Sequence, residues 1–447
     1  MRDRTSGGTS ARPRHADEAR AVVARVLDTL ADPAAVAADT RIPGAAAWDG
    51  EDLPLWVDLS LSSGFPGVSL AFSGTTPRGP DHAARAHDYL ARSMGVLARE
   101  RFPAGGIYLG PGSVAVAALI AHRATGGYVS AVDRLDDHQR RVVRAALARP
   151  RLDAPVATNG EFETVRGLSG IGRYLLARGA NCAEELRMVL SYLVELAEGE
   201  VTHRGHKVPR WWAMAAPKLG QEHELPDGHL NLGLSHGVAG PLALLSLASR
   251  EGIEVSGQRA AIENIVALLA RCAVPDGDAV SWPAIRTLEQ WVTGPAPNAP
   301  AQRPSWCYGA PGVSRAIQLA ALALDRPDWH DLTRRSLAGL LATPVRDWPV
   351  DDPALCHGWS GLMHLLGLLA EHLDDDRLPD IRDELAALVL AQYREEHRFG
   401  FRSTMTHVPQ GADVPAFLEG AAGVAMALDA YAEGRPAGGW DMALLVA

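Results

Sequence analysis

Two kinds of helical segment alternate along the chain. The first kind is apolar nearly all round and covers residues 241–247, 313–324, 362–370 and 424–432. The second kind carries charged residues between apolar ones at helical spacing and covers residues 16–31, 81–99, 134–149, 182–198, 257–272, 329–343 and 377–395. A helix without a polar face must be buried on every side, whereas an amphipathic helix keeps one face in solvent. The pattern therefore predicts an inner layer of buried helices inside an outer layer.

Glycine turns recur along the chain between the amphipathic and the apolar segments. Six copies of G-x-x-G begin at Gly64, Gly167, Gly237, Gly309, Gly358 and Gly420, and a seventh turn at 109–112 is one residue out of pattern. Recurrence of one unit along a chain is the signature of a repeat architecture. Seven helical hairpins can close into a ring, so we predict an all-α fold, a closed (α/α)7 toroid. An open solenoid is the alternative, but solenoids usually carry polar capping repeats, and the last repeat here is as apolar as the middle ones.

Two stretches depart from the helical pattern. Residues 199–231 and 273–305 are rich in proline and extended-looking residues, and they predict irregular, β-like connections flanking repeats four and five. We expect residues 1–15 to be disordered and residues 16–447 to form one barrel domain. Trp211 and Trp212 lie in the first connection, where they could dock a peptide if exposed. Packing against the barrel is the favoured alternative.

Composition narrows the function. The 447 residues include 43 Lys and Arg against 53 Asp and Glu, a net charge of −10 that argues against broad nucleic-acid binding. Hydrophobic residues make up 47% and charged residues 21%, as in ordinary globular proteins. The longest uncharged run, 102–122, is broken by glycines and prolines, so it does not predict a membrane span. The N-terminus has no apolar signal core, and we expect the protein in the cytoplasm.

The residues just before the glycine turns suggest chemistry. In a closed ring they share one end and face the axis, and Cys307 and Cys356 occupy the same repeat position. His357 follows Cys356, while His236 and Tyr308 precede the glycines of other turns. Two sulfurs and an imidazole suit zinc, and three protein ligands would leave a fourth position open, as in catalytic sites. We predict one Zn²⁺ per chain; the alternative is that the cysteines act as small buried hydrophobes.

A zinc with two thiolate ligands is a weak Lewis acid. A thiol entering the open position would still lose its proton and would keep much of its nucleophilicity. This favours addition or alkylation of thiols over activation of water. Zinc deaminases activate water with a similar His/Cys/Cys set, so water activation stays open on this argument.

Three of the turns resemble those of a known family. The segments 233–240 (GLSHGVAG), 306–312 (WCYGAPG) and 356–361 (CHGWSG) are similar to the turns of the lanthionine synthetase C-like family, the lanthipeptide cyclases. The resemblance extends from about Leu61 to the end of the sequence, with all seven turns in order. It implies an (α/α)7 toroid with a central zinc held by Cys307, Cys356 and His357. The implied reaction is Michael-type addition of a peptide cysteine to dehydroalanine or dehydrobutyrine, which forms a (methyl)lanthionine thioether ring.

The resemblance also implies roles for residues around the metal. His236 would take the thiol proton or return a proton to the α-carbon, as an imidazole can. Arg303 would stabilise the developing enolate, and Tyr308 would hydrogen-bond its oxygen or simply pack. Glu163 stands where the family carries an aspartate that supports the histidine, so its extra methylene must be accommodated. Glu419, before the seventh glycine turn, is the alternative carboxylate.

The implied substrate is a dehydrated precursor peptide. The sequence shows no dehydratase module before the first helix, so we expect a separate dehydratase, and an exporter as a further partner. Three other functions remain open: a family member that adds glutathione to dehydrated residues, a non-catalytic peptide-binding scaffold, and another zinc-containing α/α barrel such as a prenyltransferase β-subunit. The last lacks these turns and ranks lowest.

Overall fold

The computed structural model describes residues 12–40, 55–77, 81–100, 102, 105–148, 154–216, 223–294, 302–405 and 408–447. Most of the N-terminal segment expected to be disordered, residues 1–11, lies outside the described residues. The expectation for that segment stays a prediction. Just before the first helix, the side chain of Arg14 pairs with Asp380.

The described helices form the two predicted layers. The inner layer consists of α3 (Phe65–Ser73), α5 (Pro111–Thr125), α7 (Leu168–Arg178), α9 (Ala239–Arg250), α12 (Ala310–Leu324), α14 (Trp359–Ala370) and α16 (Ala421–Glu433). The outer layer consists of α1 (Ala16–Thr29), α4 (His82–Arg99), α6 (Val129–Ala146), α8 (Ala183–Ala197), α10 (Gln258–Cys272), α13 (Pro327–Leu341) and α15 (Leu378–Leu390). Two short helices, α2 (Pro33–Ala38) and α11 (Leu288–Thr293), lie in connections.

Burial follows the polarity of each helix. In α5, every residue from 112 to 121 is buried, because the helix has apolar or small residues on all sides. In α6, the buried residues form one stripe that includes Val132, Leu135, Asp136 and Val143, while charged residues between them such as Asp133 and Arg134 face solvent. The inner helices therefore supply the core, and the outer helices cover it.

The ring is closed, as predicted. Contacts connect α3 with α5, α7 with α9, α9 with α12, α12 with α14, α14 with α16, and α16 back to α3. The segment 437–444 contacts both α5 and α7. The outer helices α4, α6, α13 and α15 each pack mainly against the inner helix that precedes them, α8 and α10 contact each other as well as α7 and α9, and α1 packs against α16. The first helix of the chain thus completes the seventh hairpin.

The connections contain short antiparallel strand pairs. They are β1 (Glu200–His203) with β2 (His206–Pro209), β3 (His229–Asn231) with β6 (Ile285–Thr287), β4 (Val274–Asp276) with β5 (Ala279–Ser281), and β7 (Ser403–Met405) with β8 (Val408–Ala412). The first three pairs confirm the extended connections at 199–231 and 273–305, and the register His229–Thr287 joins one to the other. The β7–β8 pair was not predicted.

The tryptophans of the first connection are core residues. Trp211 lies edge-on to Phe162 with ring centroids 5.0 Å apart, and it is 2% exposed. The Trp212 indole N–H donates to the Asp227 carbonyl at 2.8 Å. The idea that this pair forms an exposed peptide-docking surface is therefore wrong, since both rings pack against the barrel.

The last residues occupy the centre of the ring, which the repeat pattern did not predict. Arg315 of α12 donates through Nε to the Val446 carbonyl at 2.8 Å, and Arg173 of α7 donates to that of Ala447 at 2.8 Å. The Tyr108 hydroxyl donates to the Ala443 carbonyl at 2.8 Å. Contacts to helices on different sides of the ring place this segment, residues 437–447, on its axis; we call it the hub segment.

No helix in the described part of the chain combines the length and the apolar character that crossing a membrane requires.

Candidate active site

The glycine turns bring the start of each inner helix against the chain that precedes it. A Cβ atom on Gly312 would lie 2.1 Å from the Trp306 carbonyl oxygen, and one on Gly361 would lie 1.9 Å from that of Leu355. Only glycine permits such close approach. The residues just before each inner helix are therefore held at one end of the ring, which we call the turn end.

Backbone hydrogen bonds join neighbouring turns. The donor and acceptor pairs are Thr164 and Ser235 (3.0 Å), Leu234 and Cys307 (3.1 Å), Trp306 and Cys356 (3.2 Å), and Cys356 and Leu418 (3.0 Å). In each pair the acceptor stands two residues before the first glycine of its turn. Side chains from five consecutive repeats are thus placed next to one another.

The structure brings the three predicted metal ligands together. One potential ligand atom each of Cys307, Cys356 and His357 lies within 4.8 Å of the others, and among the described residues this is the group found with metal-binding spacing. Ligand atoms bound to a tetrahedral zinc at about 2.0–2.3 Å would lie roughly 3.3–3.8 Å apart. The donor set and its spacing therefore fit a zinc ion after a small movement of the side chains.

The cluster favours a thiolate. Hydrogen bonds from Cys356 and His357 hold the pKa of the Cys307 thiol well below its ordinary value. The pKa of Cys356 is raised, because it shares a proton with Cys307 and is buried. Burial alone would lower the pKa of His357, but its hydrogen bond to Cys307 and the charge of Glu419 raise it to about 9. A bound cation would favour loss of the remaining protons.

Glu163 and His236 form a hydrogen-bonded pair in which the carboxylate is buried and the imidazole is partly exposed. The imidazole Nδ1 lies 2.6 Å from Glu163 Oε2, and the Glu163 side chain is 1% exposed. The carboxylate also accepts from the backbone N–H groups of Val165 (3.0 Å) and Gly167 (2.9 Å), and from that of Arg166. Burial would lower the pKa of His236, but the hydrogen bond and charge of Glu163 raise it above 6.5. A glutamate at this position therefore both caps its turn and reaches the histidine.

Tyr308 lies beside this pair. Its ring centroid is 6.4 Å from that of His236, and its hydroxyl accepts a hydrogen bond from Asn231 Nδ2 at 3.2 Å. Burial raises the pKa of Tyr308, so the hydroxyl stays protonated and can donate. Asn231, which sequence reasoning missed, is fully buried and also accepts from the Gly233 N–H at 3.1 Å. In the sequence, the feature that could have identified Asn231 is its side-chain amide six residues before the turn glycine Gly237.

Arg303 lies on the segment that leads to Cys307. Its Nη2 is 3.5 Å from a carboxylate oxygen of Asp351, which belongs to the next turn, and its Nε is buried without a hydrogen-bond partner. The neighbouring Asp352, also missed from the sequence, is fully buried and accepts from the Ala354 N–H at 2.7 Å. The guanidinium therefore connects the turn that carries Cys307 with the turn that carries Cys356 and His357.

The alternative carboxylate, Glu419, is placed elsewhere. Its Oε2 lies 3.5 Å from His357 Nε2, while the bond to His236 is made by Glu163. Burial raises the pKa of Glu419 to about 7. The expectation that Glu419 could replace Glu163 in supporting the histidine is therefore wrong.

The chain is similar to known proteins in sequence and in fold. Residues 55–445 match the model of the family described as lanthionine synthetase C-like protein. The chain is 24% identical over 353 residues to the nisin biosynthesis protein NisC of Lactococcus lactis subsp. lactis, covering 77% of this chain and 82% of that protein. A solved structure of nisin cyclase superposes with a TM-score of 0.73 at 22% identity, covering 87% of this chain and 92% of that one. That structural similarity shows the toroid.

Proposed function

Since the chain belongs to the lanthionine synthetase C-like protein family, we propose that it is a zinc-dependent lanthipeptide cyclase. The proposed substrate is a dehydrated precursor peptide, and the similarity to a nisin biosynthesis protein supports a peptide substrate. The observation that carries the proposal is the Cys307, Cys356 and His357 cluster, with the Glu163–His236 pair on neighbouring turns. In this proposal, a thiol-activating site lies beside an acid/base group.

In this proposal Cys307, Cys356 and His357 hold one zinc ion. The ion, when bound, lowers the pKa of a substrate thiol at its open coordination position. The protein's contribution is to hold the three ligands on turns five and six, which backbone hydrogen bonds tie together. The glycines of these turns allow the start of each inner helix to pack closely against the preceding chain.

The addition forms a bond between the thiol sulfur and the β-carbon and a C–H bond at the α-carbon, while the S–H bond and the π bond of the double bond are broken. The thiolate sulfur bonds to the β-carbon of the dehydrated residue, and the electrons of the double bond shift to the α-carbon and its carbonyl as an enolate. A proton then returns to the α-carbon, so the peptide mass does not change. The negative charge on the enolate oxygen appears only during the reaction. Hydrogen-bond donors positioned at that oxygen would therefore accelerate the addition.

His236 is the group that moves this proton in our proposal. Glu163 accepts from Nδ1 and so leaves Nε2 for the substrate. The raised pKa of His236 favours the protonated imidazole, which suits donation to the α-carbon. Tyr308 and Arg303 would hydrogen-bond the enolate oxygen.

The test is incubation of the purified protein and zinc with a dehydrated peptide that contains cysteine. We expect loss of the free thiol with no change in mass, and loss of the activity in Cys356→Ala together with the bound zinc. Cys272→Ala is the matched control, since Cys272 is buried in α10. A zinc-free wild-type protein, or no thiol consumption with a matched peptide, would refute the proposal.

The same incubation with added glutathione tests the rival activity. Attachment of glutathione would raise the peptide mass, whereas ring formation would leave it unchanged. Binding of the peptide without either reaction would favour the scaffold function. A separate dehydratase must supply the unsaturated residues, and we place the reaction in the cytoplasm, before the product reaches an exporter.

A further inference from the structure

Glu419 is a charged side chain at the turn end to which the proposed reaction assigns no role. It stands one residue before the first glycine of its turn, the position that His236, Tyr308 and His357 occupy in theirs. Repeat symmetry therefore directs the side chain to the same end of the ring. The seventh turn thus contributes a carboxylate to the group of side chains around the metal cluster.

The backbone around Glu419 is tied to the metal-binding turn. The Leu418 carbonyl accepts from the backbone N–H groups of Leu355 at 3.1 Å and Cys356 at 3.0 Å. The Ser403 hydroxyl donates to the Glu419 carbonyl. These bonds hold the seventh turn against the sixth, so the distance between Glu419 and the Cys356–His357 pair is set by the main chain.

The Glu419 carboxylate has an unsatisfied oxygen directed at a metal ligand. Oε2 is buried, lacks a hydrogen-bond partner and lies 3.5 Å from His357 Nε2. A buried carboxylate oxygen without a partner is costly, so this arrangement calls for a donor. Two donors are in reach, the Cys356 thiol and the Nε2–H of His357. Because Cys356 bound to a metal would be a thiolate without a proton, the imidazole is the donor that remains, and a movement of about half an ångström would complete a charge-assisted hydrogen bond.

We propose that Glu419 is a positioning residue for the metal site, which holds the Nε2–H of His357 and so presents Nδ1 to the metal. This inference rests on the proposed function and deepens it. Ligating histidines commonly donate their second N–H to a carboxylate, which sets the tautomer and ring orientation and strengthens binding. Glu419 does not touch the substrate in this assignment; it acts through His357.

The experiment measures zinc affinity without substrate, by competition with a chromophoric chelator. Loss of a carboxylate that accepts a hydrogen bond from a metal-binding histidine typically weakens metal binding about 10- to 100-fold, and we expect this loss of zinc affinity for Glu419→Ala. Glu419→Gln keeps an oxygen that can accept from Nε2–H, so it should bind zinc more tightly than Glu419→Ala does. The absorption of Co²⁺-substituted protein should also change in Glu419→Ala, because it reports the geometry of the ligands.

Asp58→Ala is the matched control, because it removes a negative charge from an exposed residue before the first glycine turn, where its side chain contacts Trp56 and none of the site residues. Its zinc affinity should equal that of the wild type. Equal affinities of Glu419→Ala and wild type, or equal losses in Glu419→Ala and Asp58→Ala, would overturn the inference. Ring formation by wild-type protein without bound zinc would refute the zinc requirement as well, whereas tight wild-type binding unaffected by Glu419→Ala would refute this inference alone.

Discussion

The contact between Glu163 and His236 can be tested with Glu163→Gln, which keeps the shape of the side chain and removes its charge. In the wild type, Oε2 accepts from His236 Nδ1 and from the Val165 N–H, and Oε1 accepts from the Gly167 N–H. In glutamine an –NH2 group takes the place of Oε2, and an –NH2 group cannot accept a hydrogen bond from His236 Nδ1–H or from the Val165 N–H. The substitution therefore removes two hydrogen bonds to a buried carboxylate.

The size of the effect follows from these two bonds. Hydrogen bonds to charged groups contribute about 1.5–3 kcal/mol each, so two of them correspond to about 3–6 kcal/mol. Because the His236 side chain is 41% exposed, we expect the free energy of unfolding to fall by the lower end of that range, about 3 kcal/mol. The amide would also favour the tautomer with the proton on Nε2. Proton transfer by a positioned side chain contributes about 10²- to 10⁴-fold to a rate, and we expect a loss in that range.

The loss of stability should depend on pH. The folded-state pKa of His236 is raised above 6.5, so its pairing stabilises the fold fully below that value and less as the pH rises through the folded-state pKa. The difference in stability between wild type and Glu163→Gln should therefore be larger at about pH 5.5 than at about pH 9. The limb of the pH–rate profile that reports His236 should move to lower pH.

Urea unfolding at the two pH values and the pH dependence of kcat/KM for ring formation measure both effects. Glu161→Gln is the control, since the Glu161 carboxylate accepts from the Ala157 N–H at 2.7 Å. It should leave the pH–rate limb in place. A Glu163→Gln protein with an unshifted limb, or with a stability deficit that grows toward high pH, would contradict the assignment of the raised pKa to this contact.

Three further predictions concern the hub segment, a glycine turn and the metal. Trp306→Phe removes the indole N–H that donates to the Leu444 carbonyl at 2.8 Å, and should lower the free energy of unfolding by about 1–3 kcal/mol in urea titration. Gly361→Ala places a Cβ 1.9 Å from the Leu355 carbonyl and should destabilise by about 3 kcal/mol or more, whereas Gly105→Ala, with open space around it, should be near neutral. Dialysis against a chelator should abolish ring formation, and added zinc should restore it.

Much of the fold could be predicted because it is periodic along the chain. The seven buried inner helices follow from segments without a polar face, and the closed ring follows from seven similar turns with no polar terminal repeat. The proximity of Cys307, Cys356 and His357 follows from the same periodicity, since equivalent positions in a ring share one end. None of these predictions requires knowledge of how individual helices pack in three dimensions.

Contacts between non-equivalent positions could not be predicted in this way. Glu163 and Glu419 are both carboxylates near turn glycines, yet one bonds His236 and the other lies against His357. Asn231 supports Tyr308 from a strand in a connection whose course the repeat does not describe. In each case the partner depends on side-chain reach and on the register between neighbouring turns.

The sequence by itself determined the number of hairpins, their layering and the set of candidate metal ligands, because each of these is a local pattern repeated along the chain. Only the tertiary structure decided that α1 completes the seventh hairpin and that the hub segment fills the axis. The tertiary structure also decided that Glu163 contacts His236 and that Glu419 contacts His357. The physical reason is that these features arise from packing between residues far apart in sequence, which leaves no periodic trace in the chain.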